Sequence, residues 1–428
     1  MLSKNVFDEI ESDVRSYCRD WPVVFTTAAG SVLTAEGGRE YLDFFAGAGV
    51  LNYGHNHPRI TEALIEYLRS SGVVHSLDMY TVAKREFLES FRDLILRPRN
   101  LQYKVMFPGP TGTNAVESAL KLARKVTGRQ HVMSFTNAFH GMTLGALSVT
   151  GNAMKRRGAG VPLTNATVLP YDGYLPGEIE DSLWLERTLE DSGSGVDRPA
   201  AIIVETVQGE GGLNAARPEW LRRLSDLCRR YEIVLIVDDV QAGVGRTGTY
   251  FSFEESGITP DIVCLSKALT GFGLPMALTL IRPDLDVWEP GEHNGTFRGN
   301  NLSFVAATEA MRLFWSDGAF ERTVRARSAE LREGLVRIAA DYEGASVRGR
   351  GLLTGIKFPD SPSAAKIAQA AFRRGLLVET CGPDSEVVKV MPPLTISPDE
   401  LARGIDVLAG AVADVLNVPA SGMAVDAR

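Results

Sequence analysis

The amino-acid sequence predicts an α/β fold built around a mostly parallel sheet. From Lys104 onward, short apolar runs typical of buried strands alternate with segments in which apolar residues recur at helical spacing. Parallel strands need such crossover connections, so the alternation favours a parallel sheet. The chain has 428 residues, 44% of them hydrophobic and 23% charged, which suffices for a large core.

The predicted elements of the sheet follow one another in chain order. The apolar runs are KVMF (104–107), HVMSF (131–135), AAIIVE (200–205), IVLIVDD (233–239) and DIVCLS (261–266). The clearest helical patterns are NAVESALKLARKV (114–126) and EWLRRLSDLCRRY (219–231). We expect Asn114 to cap the first of these helices and Glu117 to pair with Lys121 one turn later.

After Phe304 the pattern changes to long helices followed by strand, helix and strand, which is typical of a smaller α+β domain. We therefore predict a large domain at 76–315 and a smaller domain formed from both termini, at 1–75 and 316–428. At this length more than one domain is expected.

Composition excludes several classes of function. The formal net charge is −8, with 45 Lys and Arg against 53 Asp and Glu, so the chain lacks the basic field that binds nucleic acid. Its apolar runs are too short to span a membrane, and MLSKNVFDEIESDVR lacks the apolar core of a signal peptide. Four scattered cysteines indicate neither a disulfide framework nor a metal site. We expect a cytoplasmic protein.

Two carboxylates stand where one predicted strand ends. Asp238 and Asp239 close the run IVLIVDD and precede the glycine-rich segment QAGVGRTG. Open α/β sheets bind ligands at the carboxyl ends of their strands, so a ligand-binding role is favoured over a plain polar strand end.

A lysine follows the next predicted strand. Lys267 lies between DIVCLS and the glycine-rich loop that continues to Pro275. Burial disfavours the charged form of an amine and so makes it a better nucleophile toward a carbonyl. A lysine whose stem packs at the strand end while its ammonium reaches solvent is the equally open alternative.

A third motif, FPGPTGTN (107–114), connects a predicted strand to a helix N-terminus. The backbone N–H groups of Gly112, Thr113 and Asn114 would face an anion such as phosphate, although a capping turn explains the segment alone. A phosphate cradle, a strand-end aspartate and a reactive lysine together are what pyridoxal phosphate requires.

The chain resembles the class III pyridoxal-phosphate aminotransferases from about Phe25 to Val412. The motifs that carry the resemblance are GTNAVESALKLAR, FHGMTLGALSVTG, IVETVQGEGG, DDVQAGVGRTG, LSKALTG and GTFRGNN. The resemblance implies the fold type I architecture of pyridoxal-phosphate-dependent transferases. A protein that holds the cofactor without turnover is disfavoured, since it would not need all of these motifs at once.

The resemblance also implies a role for each matching residue. Lys267 would attach the cofactor and move the proton of the reaction, and Asp238 would pair with the pyridinium nitrogen. The other implied cofactor contacts are Gly112 and Thr113 at the phosphate, Phe139 and Val240 on the ring faces, Gln241 at the phenolic oxygen, His140 and Glu205 beside the site, and Thr296 toward a neighbouring subunit. Thr296 implies a homodimer with shared active sites. Without the motif, Phe139 and His140 are typical of an ordinary core.

A narrower resemblance is carried by the segments FFAGAGVLNYGHNHP, HSLDMYTVAKREFLESF, PGPTGTNAVES and GEHNGTFRGNN. They resemble the branch of the family that exchanges the terminal amino group of L-2,4-diaminobutyrate with 2-oxoglutarate in ectoine biosynthesis. Ornithine, 4-aminobutyrate or a secondary metabolite are alternative substrates, and an aminomutase or decarboxylase is an alternative activity.

Two residues are the candidates for binding substrate charge. Glu210 resembles the family's gating glutamate, which pairs with a substrate-binding arginine. Lys389 stands where ornithine-type enzymes carry that arginine, and lysine offers a point charge in place of a bidentate fork. Lys389 as an exposed strand residue is the alternative.

Overall fold

The computed structural model describes residues 6–175 and 181–416, without the side chains of residues 181–183. The strands of these ranges, numbered in chain order, are β1 Phe25–Ala29, β2 Val32–Ala35, β3 Glu40–Asp43, β4 Lys104–Met106, β5 Val132–Phe135, β6 Ala166–Leu169, β7 Ala201–Val204, β8 Val207–Gln208, β9 Asn214–Ala215, β10 Val234–Asp238, β11 Ile262–Leu265, β12 Leu278–Ile281, β13 Ser346–Arg350, β14 Leu353–Lys357, β15 Leu376–Leu377, β16 Glu379–Cys381 and β17 Val387–Val390.

The α-helices of the same ranges surround these strands. They are α1 Val6–Ile10, α2 Tyr17–Asp20, α3 Ala46–Gly49, α4 Pro58–Arg69, α5 Val82–Ser90, α6 Gly112–Thr127, α7 Leu144–Ser148, α8 Ala153–Arg157, α9 Asp181–Glu190, α10 Pro218–Arg230, α11 Asn301–Phe314, α12 Ala319–Ala340, α13 Ser361–Arg373 and α14 Pro398–Leu416. The C-terminal residues 417–428, which the sequence predicts to bury little, lie outside the described ranges.

A seven-stranded sheet with the order β4-β12-β11-β10-β7-β5-β6 forms the centre of the fold. The pairs from β11 to β6 are parallel, whereas β12 pairs antiparallel with both β11 and β4. Strands β5, β7, β10, β11 and β12 are buried along their whole length, as expected for a sheet that helices cover on both faces. The predicted α/β class with a mostly parallel sheet is confirmed.

Segments from both ends of the chain form a second region. Strands β1, β2 and β3 join β15 in one sheet, while β13, β14, β17 and β16 form an antiparallel sheet. Helices α12, α13 and α14 bury their apolar faces in a common cluster with these strands. This is the smaller α+β unit that the sequence predicts; its exact limits at 75 and 316 stay a prediction.

The helix after the FPGPTGTN loop begins two residues earlier than expected. Helix α6 starts at Gly112 with Thr111 as its N-cap, so the prediction that Asn114 caps it is wrong. Asn114 Oδ1 instead accepts from the backbone N–H and the hydroxyl of Thr111, at 3.1 and 2.8 Å. Glu117 binds elsewhere too: its Oε1 accepts from the backbone N–H of Ala146 at 3.0 Å.

A buried arginine connects the two units. Arg246 is 0% exposed and donates to Asn52 Oδ1 and to the carbonyls of Leu352 and Pro392. These acceptors come from the N-terminal and C-terminal segments, so one guanidinium fastens three parts of the chain. Among the helices of the two described ranges, none has both the length and the apolar composition needed to cross a bilayer.

Candidate active site

A cavity of about 200 Å³ opens where the parallel strands of the large sheet end. Strand β10 ends in Asp238 and Lys267 follows β11, while the N-terminus of α6 closes the same edge. The carboxyl edge of the sheet is where this fold class binds ligands. The residues that line the cavity are Gly112, Thr113, Phe139, His140, Gly141, Glu205, Val207, Glu210, Asp238, Val240, Gln241, Ala242 and Lys267.

Asp238 forms a buried pair with His140. The two side chains are 5% and 0% exposed, and His140 Nδ1 lies 2.7 Å from Asp238 Oδ2. Burial lowers the pKa of His140, but the hydrogen bond and charge of Asp238 outweigh burial, so the pKa lies above its ordinary value of 6.5. The pair therefore fixes the orientation of the Asp238 carboxylate in the cavity wall.

Glu205 is a second carboxylate at this edge, directly after β7. Its Oε2 accepts the backbone N–H of Phe139 at 2.9 Å, which fixes the loop that carries the Phe139 ring. Burial raises the pKa of Glu205 to about 7, against the opposing charge of His140. Glu205 therefore positions Phe139 and adds a titratable group beside the Asp238–His140 pair.

The N-terminus of α6 provides a close-packed cradle for an anion. A Cβ on Gly112 would lie 2.8 Å from Val240 Cγ1, so only glycine lets the helix approach β10 this closely. Thr113 Oγ1 lies 2.7 Å from Thr143 Oγ1, which orients its hydroxyl. A Cβ on Gly141 would come 2.4 Å from Thr113 Oγ1, so glycine is required there as well.

Lys267 projects from a single 3₁₀ turn directly after β11. Its φ of 46° lies in the left-handed region, which a non-glycine residue adopts at an energetic cost. Burial lowers the pKa of its ammonium, while the charge of Glu210 opposes this change. Both features are typical of an amine prepared for nucleophilic chemistry.

Lys389 is fully buried on β17, so its interpretation as an exposed strand residue is wrong. Its Nζ donates to Glu210 Oε1 at 2.7 Å and lies 3.0 Å from Glu379 Oε1. Burial opposes the charge on Lys389, but the two carboxylates outweigh it and raise its pKa. The structure thus joins Glu210 and Lys389 as the sequence predicts, at one side of the cavity.

Gln241 connects this ion cluster to the cavity. Its Nε2 donates to Glu210 Oε1 at 3.2 Å and to the Ala48 carbonyl at 3.0 Å, and its Oε1 accepts from Lys389 at 3.3 Å. Lys389, supported by Lys267, lowers the pKa of Glu210 to about 2 although burial acts in the opposite direction. Glu210 is therefore an anion in this arrangement.

Sequence reasoning missed two residues of the cluster. Glu379 is 7% exposed and is the second counter-ion of Lys389, and Tyr17 lies close enough to Glu379 for the charge of that carboxylate to act on its phenol. Burial, followed by the charge of Glu379, raises the pKa of the Tyr17 phenol. The one available signal was Lys389 itself, the single charged residue in the otherwise apolar strand β17.

Two other residues lie away from the cavity. Asp239 follows Asp238 but accepts the backbone N–H of Ser252 at 3.1 Å, and burial raises its pKa to about 7. Thr296 is exposed and does not line the cavity of its own chain; its carbonyl accepts from His75 Nε2 at 2.8 Å. Of the two neighbouring aspartates, Asp238 therefore lines the cavity and Asp239 binds the backbone of Ser252.

These residues fit pyridoxal phosphate. The cavity offers a helix N-terminus with glycine packing for a phosphate, a buried carboxylate for a pyridinium and a lysine with a destabilised ammonium. The buried Nε2 of His140 has no hydrogen-bond partner among the described residues, which leaves a polar group available at the cavity wall.

The match to a family model agrees with this fold and site. The model described as aminotransferase class III matches residues 16–412, so the chain belongs to the class III aminotransferases. It is therefore a pyridoxal-phosphate-dependent enzyme of fold type I. Within the family it is similar to proteins named diaminobutyrate–2-oxoglutarate transaminase.

The similarity to these relatives covers nearly the whole chain. The protein from Streptomyces avermitilis is 62% identical over 95% of this chain and 97% of its own length. The protein from Halalkalibacterium halodurans is 58% identical over 94% of this chain and 95% of its own length.

A solved structure supports the fold. The ornithine aminotransferase of Toxoplasma gondii superposes with a TM-score of 0.83 at 27% identity, covering 96% of this chain and 93% of its own. Its description mentions partial occupancy of pyridoxal phosphate at the active site.

Proposed function

We propose that this chain transfers the terminal amino group between L-2,4-diaminobutyrate and 2-oxoglutarate, with L-aspartate 4-semialdehyde and L-glutamate as the other pair. The observation that carries the proposal is the convergence of Lys267, the Asp238–His140 pair and the α6 N-terminus on one cavity. The relatives at 58 to 62% identity support the choice of substrates.

The cofactor supplies an electron sink that lets the substrate carbon beside the exchanging nitrogen lose a proton. Asp238 would pair with the pyridinium nitrogen of the cofactor, and His140, 2.7 Å from Asp238 Oδ2, keeps that carboxylate oriented. Lys267 would accept the substrate proton and return it, because burial lowers the pKa of its ammonium and so favours the uncharged amine. Phe139 and Val240, which line the cavity, would flank the ring of the cofactor.

Glu210 and Lys389 account for two unlike substrates in one cavity. While they are paired, the Lys389 ammonium is bound by Glu210 and Glu379 and presents no free positive charge to the second ammonium of diaminobutyrate. When Glu210 turns away, the Lys389 ammonium is available to the additional carboxylate of glutamate. Glu210, with its side chain 24% exposed, has the solvent access that such a movement needs.

The proposal extends to assembly and context. A homodimer in which Thr296 of one subunit reaches the phosphate site of the other explains why Thr296 is exposed and lies outside its own cavity. We place the enzyme in the cytoplasm, with glutamate as the amino donor for ectoine biosynthesis. Cross-linking and sedimentation of Thr296→Cys would test the shared site.

The test is a transfer assay on purified, cofactor-loaded protein. L-2,4-diaminobutyrate, ornithine, 4-aminobutyrate and glutamate are compared as donors, with formation of the new amino acid measured after addition of the keto acid. We expect the highest kcat/KM for diaminobutyrate with 2-oxoglutarate. Lys267→Ala should abolish transfer, while Lys366→Ala, at an exposed position on α13, should not.

The assay distinguishes the alternatives. A preference for ornithine or 4-aminobutyrate would keep the aminotransferase but refute the diaminobutyrate assignment. Loss of carbon dioxide or migration of the amino group within one molecule would refute group transfer altogether.

A further inference from the structure

Lys155 is a cation that packs against Phe139, a residue of the cavity wall, and that the sequence motifs do not include. It lies on α8, where its backbone N–H donates to Asn152 Oδ1 at 3.0 Å. The Gly151 N–H donates to the Ala138 carbonyl at 2.8 Å, so α8 is fastened to the loop that carries Phe139. The Lys155 side chain is consequently held beside the cavity wall.

The Lys155 ammonium lies over the ring of Phe139, 4.2 Å from its centroid. It is also close enough to Glu210 for its charge to contribute to the lowered pKa of that carboxylate. Phe139 and Glu210 both line the cavity. The Lys155 ammonium therefore lies next to two residues of the cavity wall.

Lys155 differs from the other two lysines of the site in its partners. Lys389 is held between Glu210 and Glu379, and Lys267 is required for the chemistry. Within residues 6–175 and 181–416, no carboxylate forms an ion pair with Lys155, and the aromatic face is its recorded contact. A cation–π contact does not neutralise the ammonium, and the N–H donors that point away from the ring remain for an anion.

The substrates share a carboxylate that such a cation can bind. In diaminobutyrate the carboxylate carbon is three bonds from the carbon that carries the exchanging amino group. In glutamate and 2-oxoglutarate the distal carboxylate carbon is three bonds from the reacting carbon. One positive charge at one distance therefore serves both half reactions, leaving Glu210 and Lys389 to handle the groups that differ.

We propose that Lys155 binds this shared distal carboxylate of both substrates, held in place by the face of Phe139. The inference rests on the proposed function, because it assigns the substrates' common group to a residue of the same site. Lys155 thereby becomes a specificity residue that selects donors with a carboxylate three bonds from the reacting carbon.

The test compares Lys155→Met with Arg157→Met, which removes an exposed charge from the same short helix. The first measurement is binding of glutarate to the cofactor-loaded protein by titration calorimetry, since glutarate has two carboxylates and no reacting group. Lys155→Met should weaken glutarate binding at least about tenfold, as loss of a charged hydrogen bond predicts, and Arg157→Met should leave it unchanged.

The second measurement is turnover with two matched donors. Diaminobutyrate and 1,3-diaminopropane differ only in the carboxylate. KM for diaminobutyrate should rise at least about tenfold in Lys155→Met, while kcat/KM for 1,3-diaminopropane should stay at the wild-type value.

Each outcome is decisive. Unchanged glutarate affinity, or an equal loss with both donors, would overturn the inference, because Lys155 would then support only Phe139 or the cofactor. If wild-type protein did not use diaminobutyrate, the proposed function would fail, while glutarate binding would still decide the role of Lys155.

Discussion

Substitution of Lys389 by Met tests the ion cluster beside the cavity. The change removes an ammonium that is 0% exposed and keeps a side chain of similar length. It leaves Glu210, 2.7 Å away, and Glu379, 3.0 Å away, facing each other without their shared cation. A buried carboxylate, Glu379, and a partly exposed one, Glu210, then remain at one wall of the cavity.

The expected loss of unfolding free energy comes from leaving a buried charge without its counter-ion. Removing one partner of a buried ion pair costs about 3–5 kcal/mol of unfolding free energy. Protonation of a carboxylate relieves part of this cost. In the folded variant the carboxylates have a raised pKa, whereas in the unfolded chain they lose their protons above the ordinary pKa of about 4.3. Burial already raises the pKa of Glu379 in the intact cluster. The deficit of the variant should therefore grow as pH rises from acid to alkaline.

Urea unfolding, followed by tryptophan fluorescence in acid and in alkaline buffer, measures this deficit. Adding Glu379→Gln to Lys389→Met should recover about 0.5–3 kcal/mol, the usual coupling between residues in contact. Lys357→Met, on the neighbouring strand β14, is the matched control and should cost little. A Lys389→Met protein as stable as wild type, or destabilised equally at both pH values, would refute the reasoning.

Three further predictions concern single sites. Gly112→Ala should weaken cofactor affinity at least about tenfold, because the new methyl group meets Val240 and moves the anion cradle off its geometry; equilibrium dialysis, with Gly193→Ala as control, measures this. His140→Gln should destabilise the cofactor-free protein most below pH 6.5, since the raised pKa of His140 gives stability that is lost as pH rises through its folded value; urea midpoints in acid and alkaline buffer check the sign. Arg246→Met should lower the unfolding free energy by about 3 kcal/mol or more, because it leaves buried acceptors unpaired. Calorimetry measures this as a lower unfolding temperature, and a temperature equal to that of the wild type would contradict the prediction.

The strands that carry the catalytic residues could be predicted from the sequence. Buried parallel strands appear as uninterrupted apolar runs, and Asp238 and Lys267 directly follow two of them. The role of Gly112 in the anion cradle could also be predicted, because a strand-to-helix turn is a local feature of the sequence. The start of α6 was missed because Thr111 and Asn114 can both cap a helix, and backbone geometry alone selects between them.

The remaining site residues depend on contacts between distant segments. Whether Lys389 is exposed or buried is decided by its partners, and Glu379 is brought to it by the pairing of β16 with β17. Tyr17 reaches the same cluster from the N-terminal segment, and Lys155 reaches Phe139 through the placement of α8. Period and propensity carry no information about such long-range juxtapositions.

The sheet formed by β1, β2, β3 and β15 has a consequence for synthesis on the ribosome. Arg39 and Arg373, 334 residues apart, are hydrogen-bonded beside the β3–β15 pairing. At about 5–20 residues per second, the N-terminal strands wait roughly 17–67 s for their partner to be translated. During that interval the nascent chain carries an unpaired strand edge at β3, whereas the central sheet has all its strands by Ile281. We expect chaperones that shield exposed strand edges to bind this chain early, at its first fifty residues, well before the catalytic cavity closes.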